Sequence, residues 1–214
     1  MDYNLTLDDL FNKWQNDHKT DVNFNKNCTL PKGAEINFIP DGRFDETKTG
    51  GILFICKESN VENDTDYGIK DFWMKNVVKA KSEGEYYKPS TANDKRAQTK
   101  YYNCLQHIID KINNKTENSY KIEDCAYMNI NKRGGKSISD NEKIKNYFNQ
   151  YYQDFIREEI KLLKCDYIVV FCYEQFKDSI ITKLQVLDGY ADKVYGYQKH
   201  PSRYSKDCTP TKLP

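Results

Sequence analysis

Three short apolar runs, GGILFIC at 50–56, CAYMNIN at 125–131 and DYIVVFC at 166–172, are separated by long stretches whose apolar residues return every three or four positions. A strand buried on both faces reads as a nearly unbroken apolar run, whereas a helix with one buried face reads as a stripe. The first stripe, within 93–113, is Ala97, Tyr101, Leu105, Ile108 and Ile112. The second is Ile144, Phe148, Tyr151, Phe155 and Leu163, ending near Lys164 and preceded by Ser139 and Glu142 in the spacing of a capping box. A helix near 174–186 then leads to ADKVYGY, 191–197, which reads as a fourth strand. Strands alternating with crossover helices specify a parallel sheet covered on both sides. The expected fold is therefore α/β, a three-layer α/β/α sandwich around a four-stranded parallel sheet. At 214 residues the chain has the length of one domain. Its opening TLDDLFNKWQNDH places Leu7, Leu10, Phe11 and Trp14 at helical spacing behind Thr6, predicting a short helix docked on that domain. Residues 19–48 read as loop.

Charged residues are 30% of the chain and cancel to +1, so affinity for an acidic polymer has to come from local basic patches. The start carries neither a basic n-region nor an apolar h-region, and no apolar run has bilayer-spanning length. These features predict a soluble, cytoplasmic protein without a membrane partner. The seven cysteines contain no Cys-x-x-Cys pair. They read as reduced structural thiols, several inside predicted strands, and no metal site or cluster is expected.

In a parallel sheet, ligands bind outside the carboxyl ends of the strands. The segments KESN (57–60), KRGGKS (132–137) and KHPSR (199–203) each follow a predicted strand, so all three should open on one edge. KRGGKS matches the end of a phosphate-binding loop at Gly135, Lys136 and Ser137, but Ile130 stands where that motif needs its first glycine. A nucleotide-binding module is thereby disfavoured, while Lys132, Arg133 and Lys136 remain candidates for phosphate-backbone contacts. KHPSR holds His200, one of three histidines beside His18 and His107. A carboxylate such as Glu58 can orient or deprotonate water, and an imidazole can hydrogen-bond a leaving group as it becomes an anion.

Glu58 after the first strand and His200-Pro201-Ser202 after the last resemble the uracil-DNA glycosylase superfamily, whose first motif has forms such as Gly-Gln-Asp-Pro-Tyr and whose late motif is His-Pro-Ser. The likeness spans about residues 50–205 by strand order, with identity confined to the triplet. It implies a water-activating role for Glu58 and stabilisation of the departing base anion by His200. It further implies stacking of an extruded base on Phe72 or Trp73, reading of the base edge by Asn129 or Asn131, and a wedge into the vacated stack from Arg203 or Tyr204, next to Ser202. Asn60 falls where the strict uracil enzymes carry tyrosine against a 5-methyl group, and Ser59 replaces proline. The expectation is a pocket that admits a larger base, such as a 5-substituted pyrimidine of phage DNA.

The chemistry suits these residue types. Breaking an N-glycosidic bond leaves a cationic sugar and an anionic base, and one well-placed hydrogen bond to that anion is worth roughly two powers of ten in rate. The expected protein is thus a monomeric DNA glycosylase, a hydrolase of base excision acting on uracil or a modified pyrimidine in DNA, with no cofactor. Its rival is a protein that binds nucleic acid or a modified base on the same scaffold without cutting; the altered first motif, with Lys57 and Ser59, supports that rival.

Overall fold

The computed structural model describes residues 5–20, 41–43, 45, 47–59, 92–134, 140–171, 182–185, 189–201 and 210–212. Helix α1, Leu7–Thr20, starts where the sequence predicts. The Thr6 hydroxyl accepts from the Asp9 amide at 3.1 Å, and the Thr6 amide donates back to the Asp9 carboxylate at 3.1 Å. This reciprocal cap satisfies two polar groups at the helix start. Its apolar stripe buries Leu10, Phe11 and Trp14.

Strand β1, Gly42–Arg43, falls in the stretch read as loop. Strand β2, Ile52–Ser59, leads to helix α2, Ala92–Thr116, and a 3-10 turn at Ile122–Asp124 precedes strand β3, Ala126–Gly134. The long helix predicted next is composite. Helix α3, Asn141–Asn146, is followed by a π-helical turn, Tyr147–Tyr152, and then by helix α4, Gln153–Leu163. Its start is capped by Asp140, whose carboxylate accepts from the amides of Glu142 and Lys143, one residue later than the predicted Ser139. Strand β4, Tyr167–Phe171, helix α5, Thr182–Gln185, strand β5, Val194–Tyr197, and strand β6, Thr211–Lys212, complete the described elements.

The sheet is mixed and six-stranded, in the order β1-β3-β2-β4-β5-β6. Its four central strands run parallel, as expected, while β1 on β3 and β6 on β5 are antiparallel two-residue edges. The expected four-stranded parallel sheet is therefore the centre of a larger one. Edge strands this short present few open hydrogen-bonding groups, which limits pairing with other chains.

Side chains alternate across a strand, so Tyr127 and Lys132 of β3 lie on opposite faces. Tyr127 is hydrogen-bonded to Tyr101 of α2, whereas Lys132 meets Glu159 of α4 and stands over the Trp14 ring of α1 at 5.2 Å. Lys183 of α5 reaches Asn149 and Gln153 on the same side as Lys132. Right-handed crossovers explain this division. The chain steps from β2 outward to β3 over one face, then returns past β2 to β4 over the other. Crossovers leaving β2 and β4 on opposite faces create a switch point at the carboxyl ends of those neighbouring strands.

At the opposite, amino-terminal edge, buried Arg43 donates to the carbonyls of Leu163 at 2.6 Å, Gly50 at 2.7 Å and Asp124 at 2.9 Å. The planar guanidinium fork thereby ties the end of α4 to the turns that start β2 and β3. The core is continuous around Ile52, Leu53, Phe54, Ile108, Met128, Phe148, Ile160, Val169 and Val194.

Candidate active site at the carboxyl edge of the sheet

Strand β2 is longer than its apolar run. It continues through Lys57, Glu58 and Ser59, with Glu58 paired to Asn131 and a register shift before Ser59 meets Gly134. Glu58 is accordingly a residue of the strand, not of the loop after it, and it lies on the strand that borders the switch point. Strand β3 likewise absorbs Lys132, Arg133 and Gly134. Ile130, at the position where a phosphate loop would need glycine, is a buried strand residue.

This extension overturns one assignment. Lys132, expected to contact a phosphate backbone, has a fully buried side chain, ion-paired with Asp41 and, at 2.7 Å, with Glu159. It continues the inward row of Met128 and Ile130, and its ammonium lies over the rings of Phe11 and Trp14. A charge so enclosed cannot reach a polymer outside the fold. Two carboxylates face one ammonium there, and burial pushes both acids up, Glu159 to about 7. The cluster therefore tends to retain a proton between its two acids. Asp41 also accepts from the Asn129 amide, which joins this cluster to β3 at the residue beside the candidate base readers.

On the other face, Asn129 and Asn131 share one side of β3 with Tyr127, and both are buried. Asn129 is in register with Cys56 and Asn131 with Glu58. Beyond β5, His200 is partly exposed, and Pro201 after it is buried. The Tyr101 hydroxyl is 2.9 Å from His200 Nε2 and 3.5 Å from Nδ1, with the two rings edge to face at 85°. Tyr101 is also hydrogen-bonded to Tyr127, and Tyr127 to Cys56. Burial, reinforced by these neighbours, holds the Tyr127 phenol well above its usual ionisation range, so it stays a neutral donor at ordinary pH.

The result is a polar line from β5 back to β2: His200, Tyr101, Tyr127, Cys56. It carries the imidazole across the intervening β4 toward the strand that bears Glu58. Cys56 precedes Glu58 by two residues, roughly 7 Å along a strand. Of the sequence-derived candidates, Glu58, Asn129, Asn131 and His200 thus belong to the carboxyl half of one sheet. Arg133 is a strand residue of β3. Asn60, Phe72, Trp73, Lys136, Ser202, Arg203 and Tyr204 lie outside the described residues.

Tyr101 and Tyr127 were not singled out by sequence. Tyr101 sits in the apolar stripe of α2 and reads there as packing, although a phenol in such a stripe needs a partner for its hydroxyl. That need was the available signal. Searches against protein-family models, curated proteins and solved structures find no match to this chain.

Proposed function

We propose that the chain is a three-layer α/β/α domain of the uracil-DNA glycosylase type and that it hydrolyses the N-glycosidic bond of a uracil or modified pyrimidine extruded from DNA. The observation that carries this reading is the Tyr101 bridge, which ties His200 from the end of β5 to the β2–β3 region containing Glu58, Asn129 and Asn131. Glu58 orients or activates water, His200 donates to the base as it leaves with negative charge, and an asparagine of β3 reads the base edge. The strand order supports the reading, because Glu58 is on a strand flanking the switch point, where an open α/β sheet takes its ligands. No reaction step requires a metal or an organic cofactor. The protein is proposed to act as a monomer in the cytoplasm, with phosphate contacts from Arg133 and Lys136 and from Ser202, Arg203 and Tyr204.

A second reading, recognition of a modified base without cleavage, draws on one observation. Lys57, beside Glu58, donates to Asn141 Oδ1 at 2.8 Å, which commits that part of the first motif to holding β2 against the start of α3.

The test is alkali-dependent cleavage of labelled single- and double-stranded oligonucleotides bearing uracil, 5-hydroxymethyluracil or other 5-substituted pyrimidines. Abasic sites made by wild type and lost in Glu58→Gln support excision and name the base. Salt-sensitive binding without abasic sites on any substrate supports recognition alone.

A further inference from the structure

The contact between Tyr101 and His200 has a direction, set by its other neighbours. Tyr127 is buried and hydrogen-bonded to both Cys56 and Tyr101. It has one proton to give, and a thiol sulfur is a weak acceptor, so that proton goes to the Tyr101 oxygen. Tyr101, already accepting there, has its own proton to give to the nearer imidazole nitrogen, Nε2, at 2.9 Å. A nitrogen that accepts carries no hydrogen in the neutral ring, which leaves the proton on Nδ1.

We propose that Tyr101 is a positioning residue for His200, donating to Nε2 so that the neutral imidazole is held in the Nδ1-protonated tautomer and presents Nδ1–H to the departing base. The proposal deepens the glycosylase reading and rests on it for the identity of the acceptor. An unconstrained neutral imidazole favours the Nε2-protonated form, so the tautomer is a signature that mere packing of Tyr101 against His200 does not produce. The role is positional, since the Tyr101 hydroxyl is occupied by the ring.

The experiment reads histidine tautomers by long-range proton–nitrogen NMR on the 15N-labelled full chain, at about two pH units above the ordinary histidine value. Three histidines give a readable spectrum, with His200 identified by its loss in His200→Gln. Wild-type His200 is expected as the Nδ1-protonated form, and Tyr101→Phe is expected to return it toward the Nε2-protonated form. His107, on the same helix, serves as the control for folding and should keep its signals. An Nε2-protonated His200 in wild type overturns the proposal, and that result needs no variant to fold. So does an identical tautomer in wild type and Tyr101→Phe.

Excision kinetics provide a separate arm, in which Tyr101→Phe should lower kcat about tenfold, the worth of roughly one hydrogen bond, with KM within about twofold. If wild type excises no base yet the tautomer responds to Tyr101, the catalytic reading of the site falls and the positioning role stands.

Discussion

Lys132 is a basic residue in a basic-looking turn, and sequence alone reads it as a surface contact because lysine is seldom fully buried without a partner. Its partners are remote, Asp41 at 91 positions and Glu159 at 27. One of them nevertheless left a trace. In the stripe Phe148, Tyr151, Phe155, Leu163, the place four after Phe155 and four before Leu163 is Glu159, a carboxylate where an apolar residue is due. Removing the lysine strands two buried acids, so Lys132→Met should cost about 3–5 kcal/mol in urea unfolding. The acids also set a pH dependence. Glu159 ionises near 4.5 when unfolded and is held up to about 7 by burial in the fold. Below 4.5 both states carry the proton and this contribution is fully present. Between 4.5 and 7 the unfolded chain releases its proton first, so stability is lost as pH rises through that window. Glu159→Gln should flatten the stability profile there, as read by urea midpoints at successive pH values; an unchanged slope would contradict the shared-proton account.

At the scale of elements, the central strands and the long helices were legible because their residues carry period and run length. The two-residue strands β1 and β6 were not, since two residues hold no period. The ends of β2 and β3 were also misread. Lys57, Glu58, Lys132 and Arg133 are polar, and polarity was taken for a loop, whereas the ladder continues beneath them. The π-helical turn was hidden because Ile144, Phe148 and Phe155 fit an uninterrupted helix as well as a broken one. The start of β2 depends on glycine for a reason the sequence does not disclose. Gly51 has φ +78°, and a Cβ there would run into the carbonyl oxygen of Asp124. Backbone cannot move aside as a flexible side chain does. Gly51→Ala should therefore destabilise by more than about 2 kcal/mol, combining left-handed strain with the clash, and thermal melting will measure it. Gly189→Ala is the matched control, with φ +83° but open space around the added methyl, and should cost less.

For the whole molecule, strand order brings the parts of the site together. The four parallel strands send their carboxyl ends to one edge, and crossovers on opposite faces open the switch point beside β2. Sequence supplied Glu58 and His200 as an acid and an imidazole on that edge. It did not supply the Tyr101 and Tyr127 bridge, because the hydroxyls that form it belong to residues whose rings fit a core pattern. Among the described residues no helix is long and apolar enough to cross a membrane. The central claim is that His200 is chemically engaged with the departing base, and the most direct measurement is single-turnover excision by wild type and His200→Ala on the best modified-pyrimidine oligonucleotide. The account predicts abasic-site formation slowed about a hundredfold in the variant, with oligonucleotide affinity within a few-fold of wild type. Equal rates in the two proteins, or no abasic sites from wild type on any pyrimidine substrate, would contradict it.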